Sequence, residues 1–181
     1  MNGLVRAIGR LNLLIARLLG IALLVMGAVI IVEIVLRRTV GSPLGGSDEI
    51  SGYVMAAVTT WGFAFALSER AHVRIDLVQR RLPPAARAWL DVFAMAVMAA
   101  VAGLVTGYGW RVLEKTLDRG SRANTPLETP LWIPESIWFA GWVWFTTAAT
   151  LLLIAALLDA VRGRYAEVET IAGTHGGEGE R

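Results

Sequence analysis

Apolar positions in this chain fall into four long blocks, at about 18–36, 50–67, 89–108 and 136–158. Leu, Ile, Val, Ala and Met dominate each block, and no strict alternation of apolar and polar residues runs through any of them. About 20 apolar residues in helical form cross the ~30 Å hydrocarbon core of a bilayer. Within that core every backbone N–H and C=O must find a partner inside its own segment or in a closed barrel. Without the two-residue period of barrel strands, the pattern predicts an all-α membrane protein with four transmembrane helices.

The connecting stretches carry their own signals. In 1–17, Leu4, Ile8, Leu11 and Ile15 share one helical stripe while Arg6, Arg10 and Arg17 lie elsewhere, which predicts an amphipathic segment along the headgroups before the first span. The first apolar block is too long for the apolar core of a signal peptide, contains Glu33 and ends in Arg37-Arg38, so it reads as a retained span. Pro83-Pro84 open the third helix. That helix is expected to continue past Trp110 as a polar extension through 111–118 and to stop at Gly120. Pro126, Pro130 and Pro134 recur every four residues, a spacing no helix interior tolerates, so an ordered extended loop is expected to lead into helix four. The end of the chain, 159–181, closes in Gly-Gly-Glu-Gly-Glu-Arg and is expected to be a disordered cytoplasmic tail. The domain reading is therefore an interfacial segment at 1–17, a four-helix membrane domain at 18–158 and the tail.

Composition narrows the functions available. Of 181 residues 55% are hydrophobic and 18% charged, which leaves no stretch for a sizeable soluble domain. Cysteine is absent, which removes disulfides, thiolate metal sites and Cys nucleophiles. The net charge is +2, and every basic residue except Lys115 is Arg. In a membrane protein these are headgroup and topology residues, and nucleic-acid binding is not expected. Eleven Lys and Arg lie on the side holding both termini and six on the other, so both termini are expected in the cytoplasm.

Few residues offer chemistry. Glu33 is a carboxylate within a span, a functional candidate by default. It lies roughly 9 Å from the span centre, though, and Arg37 follows one turn later as an ion-pair partner. Ser47, Asp48 and Glu49 sit where a helix N-terminus favours capping oxygens and negative charge. His72 and Asp76 are one turn apart, but a catalytic zinc needs a third protein ligand, so a charged cluster with Glu69, Arg74 and Arg80 is the better reading. Trp110, Trp132 and Trp138 form an aromatic belt at one boundary and Trp89 marks the other, while Trp61, Trp142 and Trp144 lie within spans as packing residues. Gly103 and Gly107 make a GxxxG motif on a face rich in Ala, which permits close helix approach. No phosphate loop, nucleophile elbow or zinc-protease motif is present, and no span is broken at its middle by Gly and Pro. No catalytic, cofactor or metal residue is assigned.

The order of several motifs resembles a known family. Asp48-Glu49-Ile50-Ser51-Gly52-Tyr53 opens helix two and Trp61-Gly62-Phe63-Ala64-Phe65-Ala66-Leu67 closes it. Ala71-His72-Val73-Arg74-Ile75-Asp76, Leu82-Pro83-Pro84, Thr125-Pro126-Leu127 and Pro130-Leu131-Trp132-Ile133-Pro134 follow. Over about 18–158 the chain is similar to the small, DctQ-like membrane subunit of tripartite ATP-independent periplasmic (TRAP) transporters. The resemblance implies a bacterial inner-membrane scaffold that works with two partners, a large transport subunit and a periplasmic substrate-binding protein. Their joint activity would be sodium-coupled uptake of an organic acid, with the sodium site in the large subunit. By family position Glu49, His72, Asp76, Thr125, Pro126 and Trp132 are structural or interface residues, alongside Glu33, Arg37, Gly103 and Gly107 from the residue reading. The alternative is a small stand-alone proton-coupled exporter, a homodimer working through Glu33.

Overall fold

From Asn2 to Thr39 the chain is one unbroken helix, α1. The computed structural model describes residues 2–41, 45–70 and 82–173. Sequence alone placed a boundary between an interfacial segment and a span near residue 17, and α1 has none there. Nothing in Ala16-Arg17-Leu18-Leu19 stops a helix, and Gly20 alone only weakens one. The inward face of α1 is set by Ile8, Asn12, Met26 and Glu33, all buried. The last three share a seven-residue repeat, the spacing at which a helix keeps one seam against a neighbour. Of the expected stripe, Ile8 points inward and Leu4 and Leu11 are exposed.

Three further long helices follow: α2 (Ser47–Ser68), α3 (Pro84–Arg119) and α4 (Trp132–Val161). Together with α1 these are, among the described residues, four helices long and apolar enough to cross a membrane, as the sequence predicts. They form a row rather than a closed bundle. The main contacts join α1 to α2, α2 to α4 and α4 to α3, so α3 packs outside α4 and the spatial order is α1–α2–α4–α3. A single layer buries little of itself, and long apolar stripes on α1 and α3 remain exposed. The core runs along α4, where Phe145, Ala148, Ala149, Leu152 and Ala156 are buried against Ala64 and Leu67 of α2 and Val92, Met95 and Ala102 of α3.

The row is also staggered. One level runs through Asn12 and Ala64, which are hydrogen-bonded, and through Thr60 beside Gly141 and Gly103 beside Thr146. On α1 that level lies between Arg10 and Arg17, at the charged end of the apolar block; on α3 it lies inside the block.

The α1–α2 and α3–α4 connections gather at one end of the row, the loop end, and the start of α1 and the end of α4 lie at the other. At the loop end α3 stops at Gly120, which takes the left-handed conformation (φ 57°) of a helix C-cap. The following loop is ordered, as its prolines predict. Arg122 and Pro130 form an antiparallel bridge, and a turn hydrogen bond runs from the Glu128 N–H to the Thr125 carbonyl at 3.0 Å. Helix four begins at Trp132, four residues earlier than expected, with Pro134 at its third position. An N–H there has no intrahelical acceptor, so proline costs the helix nothing.

The expected disordered tail is in part a helix. After Gly163 (φ 71°) the chain forms α5 (Tyr165–Ala172), which packs on α3 and α4 through Val168, Ile171 and Ala172. Their i, i+3, i+4 spacing was the missed signal. Arg164 pairs with buried Asp159 at 2.8 Å, and Arg70 donates to the Glu169 carbonyl at 3.2 Å. Residues 174–181 lie outside the described residues. Because Val168 is fully buried, Val168→Asp is expected to detach α5. Limited proteolysis would then cut within 163–173 in the variant and leave the parent protected.

Candidate functional site

Two polar clusters stand out in this apolar row. The first is at the loop end. Glu49 is buried in the first turn of α2, where unsatisfied backbone N–H groups favour a carboxylate. Tyr53 donates to its Oε1 at 2.7 Å, one turn along the same helix. Thr125 donates to Oε2 from the α3–α4 loop, 76 residues away in sequence. Thr129, from the same loop, also hydrogen-bonds to this carboxylate. One side chain thus anchors the whole loop to α2.

The backbone supports the anchor. Gly46 precedes α2 at φ 87°, and a Cβ there would stand 2.5 Å from Leu127 Cδ1. Only glycine both adopts that conformation easily and leaves room for Leu127. Pro126 fixes the turn before this contact and is itself exposed. Replacing Glu49 by Gln, or Thr125 by Val, is expected to release the loop. Amide hydrogen exchange at 121–131 should then accelerate roughly tenfold, given the strength of hydrogen bonds to an ionised acceptor.

Glu33 sits near the same end. Its side chain is buried, and Arg37 Nη2 meets Oε1 at 3.0 Å, the pairing its spacing predicts. Trp132 is exposed at the start of α4. His72 and Asp76 lie outside the described residues.

The second cluster was not anticipated. Asn12 is 1% exposed. Its Nδ2 donates to the Ala64 carbonyl at 2.8 Å and to Ser68 Oγ at 2.6 Å, while its Oδ1 accepts from Trp144 Nε1 at 2.7 Å. Three helices meet at one amide. The signal available was Asn12 itself, the one amide side chain in a stretch, 6–24, otherwise made of Leu, Ile, Ala, Gly and Arg.

Close helix approach also falls elsewhere than the GxxxG motif suggests. Gly103 has only Thr146 Cγ2 at 4.0 Å, and Gly107 faces nothing within 4 Å. The tight crossing is at Gly141, where a Cβ would lie 2.4 Å from Thr60 Oγ1 and 2.8 Å from Trp61 Cδ1. Trp61 Nε1 seals it by donating to the Ile137 carbonyl at 3.0 Å. Between α3 and α4, Thr106 and Thr146 share a hydrogen bond at 2.8 Å.

Comparison with known families settles what kind of chain this is. The model of the family described as "Tripartite ATP-independent periplasmic transporters, DctQ component" matches residues 26–163. The chain belongs to the DctQ family. It is thus a small membrane component of a tripartite transporter, from a family of transporter parts rather than of enzymes. The DctQ match covers the last third or so of α1 and all of α2, α3 and α4, including Glu33, Glu49, Thr125 and Gly141. Asn12 and α5 fall outside it. No curated protein and no solved structure matches the chain.

Proposed function

We propose that this chain is the static scaffold of a TRAP-type transporter, a wall against which the large transport subunit is held. The observation that carries this reading is the single-layer row within the DctQ match. Four membrane-length helices bury one another only between neighbours in the row, most of all along α4, and leave both sides of the row apolar and exposed. Exposed apolar area of this extent suits a protein built to be packed against as well as to meet lipid. The loop end, tied down through Glu49, is the part that offers itself to a periplasmic substrate-binding protein. The charge bias of the sequence supports placing both termini in the cytoplasm and the loop end in the periplasm of a bacterial inner membrane. The transport step, its sodium coupling and recognition of the organic acid belong in this reading to the partners.

Affinity purification of the tagged chain from its native membrane tests the proposal. A much larger membrane protein is expected to co-purify, and deletion of the chain is expected to abolish uptake of one organic acid. A monodisperse chain that transports in proteoliposomes without a partner would overturn the scaffold reading. Glu33→Gln separates the stand-alone exporter from it: the exporter loses activity, whereas the scaffold keeps uptake. Gly107 gives a second handle. Gly107→Leu is expected to leave the isolated chain folded, since nothing lies within 4 Å, yet to weaken co-purification if the large subunit covers that face.

A further inference from the structure

The C-terminal part of α3 carries a feature that scaffolding does not use. Its apolar run ends at Trp110, and from there Arg111, Lys115 and Arg119 follow at four-residue intervals, so they share one face. All three are exposed, and among the described residues none is in an ion pair. They border an open groove of about 440 Å³ whose remaining wall includes Tyr108, Val112 and Thr116. Glu114 and Asp118 belong to the same turns but do not line the groove. The arrangement is cationic at the rim and apolar beneath.

We propose that this groove is a binding site for one anionic phospholipid of the leaflet at the loop end. Three features select that occupant. The groove begins where the apolar run of α3 ends, beside exposed Trp110 and Trp132, so it opens at headgroup level. At 1.5 Å per residue, Arg111 and Lys115 stand about 5 Å and 10 Å beyond Tyr108, within the headgroup layer. Tyr108 and Val112 offer an apolar wall for the glycerol and upper acyl carbons, which a free phosphate would not use. Arg111 is also held in place: its guanidinium lies 5.2 Å over the Tyr108 ring. A guanidinium placed over a ring keeps N–H groups free for hydrogen bonds to a phosphate. Lys115 and Arg119 then supply point charges for a negative headgroup. A zwitterionic lipid of the same shape brings its own cation into that rim and is disfavoured.

The test uses the full chain in detergent, offered equal amounts of phosphatidylglycerol and phosphatidylcholine with identical acyl chains, and native mass spectrometry to count bound lipid. One phosphatidylglycerol is expected to be retained in preference. Each cation near an anionic lipid contributes roughly a fivefold preference. The triple change Arg111→Gln, Lys115→Gln, Arg119→Gln is therefore expected to lower it at least tenfold. The charge-matched control Arg10→Gln, Arg17→Gln, Arg38→Gln should keep it. Equal retention of the two lipids by the parent chain overturns the proposal whether or not the variants fold. So does an unchanged preference in a triple variant of normal helicity, or displacement of the lipid by a large excess of inorganic phosphate, which would make this a soluble-anion site. If the triple variant instead loses co-purification with an acidic partner protein while lipid retention is unaltered, the groove is a protein contact and the lipid site is wrong.

Discussion

Gly141→Ala is expected to be among the most damaging single-methyl changes in this chain. The added Cβ would stand 2.4 Å from Thr60 Oγ1, 2.7 Å from Thr60 Cβ and 2.8 Å from Trp61 Cδ1. Thr60 is buried, and its hydroxyl is already committed to the Ala56 carbonyl at 3.1 Å, so it has no free rotamer to retreat into. Trp61 is held by its bond to the Ile137 carbonyl. The relief available is for α2 and α4 to move apart, and that opens the central contact of the row. Overpacking of this kind costs about 1–3 kcal/mol, and here the upper part of that range is expected. The measurement is the unfolding midpoint in a graded series of SDS and mild detergent. Gly107→Ala is the matched control: with nothing within 4 Å, it should shift the midpoint by less than about 0.5 kcal/mol. Thr60→Gly in the Gly141→Ala background is expected to recover part of the loss, the remainder staying with Trp61. Equal effects of the two Gly→Ala changes would mean that α2 and α4 do not cross at Gly141.

The second large effect is expected at Asn12. Asn12→Leu keeps the bulk of the side chain but removes one acceptor and one two-way donor, leaving Trp144 Nε1 and Ser68 Oγ without their interhelical partner. Interhelical hydrogen bonds in membranes average about 0.6 kcal/mol each and reach about 1.7, so three bonds from one amide amount to roughly 2 kcal/mol. The loss should be local. It is expected to free the N-terminal third of α1 from α2, seen as faster hydrogen exchange near residues 5–15, while α3 and α4 stay protected. A double-mutant cycle with Trp144→Phe isolates one bond. The double variant is expected to lose less than the sum of the single losses. Strict additivity would show that the Trp144 contact contributes nothing to holding α1.

What the sequence made legible follows from which forces act alone. Four apolar blocks had to be four helices, because lipid leaves the backbone no other way to satisfy its polar groups. The Glu33–Arg37 pair and the Gly120 stop were equally accessible, since both depend on neighbours within one turn. The contacts that join distant segments were not. Nothing at Glu49 announces that its acceptors will be filled from residue 125, and the helix N-terminus already accounted for its charge. GxxxG pointed to Gly103 and Gly107, whereas the tight crossing is at an isolated Gly141 flanked by Ala140 and Trp142. In an apolar medium the residue that faces a partner and the residue that faces lipid obey the same preference. Asn12 lies in a segment whose Leu and Arg pattern fits a surface helix, and α5 precedes a Gly-rich end that carries no helical signal.

The staggered register of the row sets how the protein must stand in its membrane. Along the helix axes, the middle of the apolar block on α1 and that on α3 are displaced by about 25–30 Å, at 1.5 Å per residue. Neighbouring helix axes lie 8–10 Å apart, so the displacement accrues over three such steps. A flat hydrocarbon slab covers both blocks fully only if the helices lean together in the plane of the row by about 45°, at or beyond the top of the 0–40° seen for membrane helices. The wall is then a parallelogram. The 38-residue α1, about 57 Å long, overreaches an upright crossing, whereas the 22-residue α2, about 33 Å long, only just makes one. Any surface laid along this wall therefore meets helices inclined to the membrane normal.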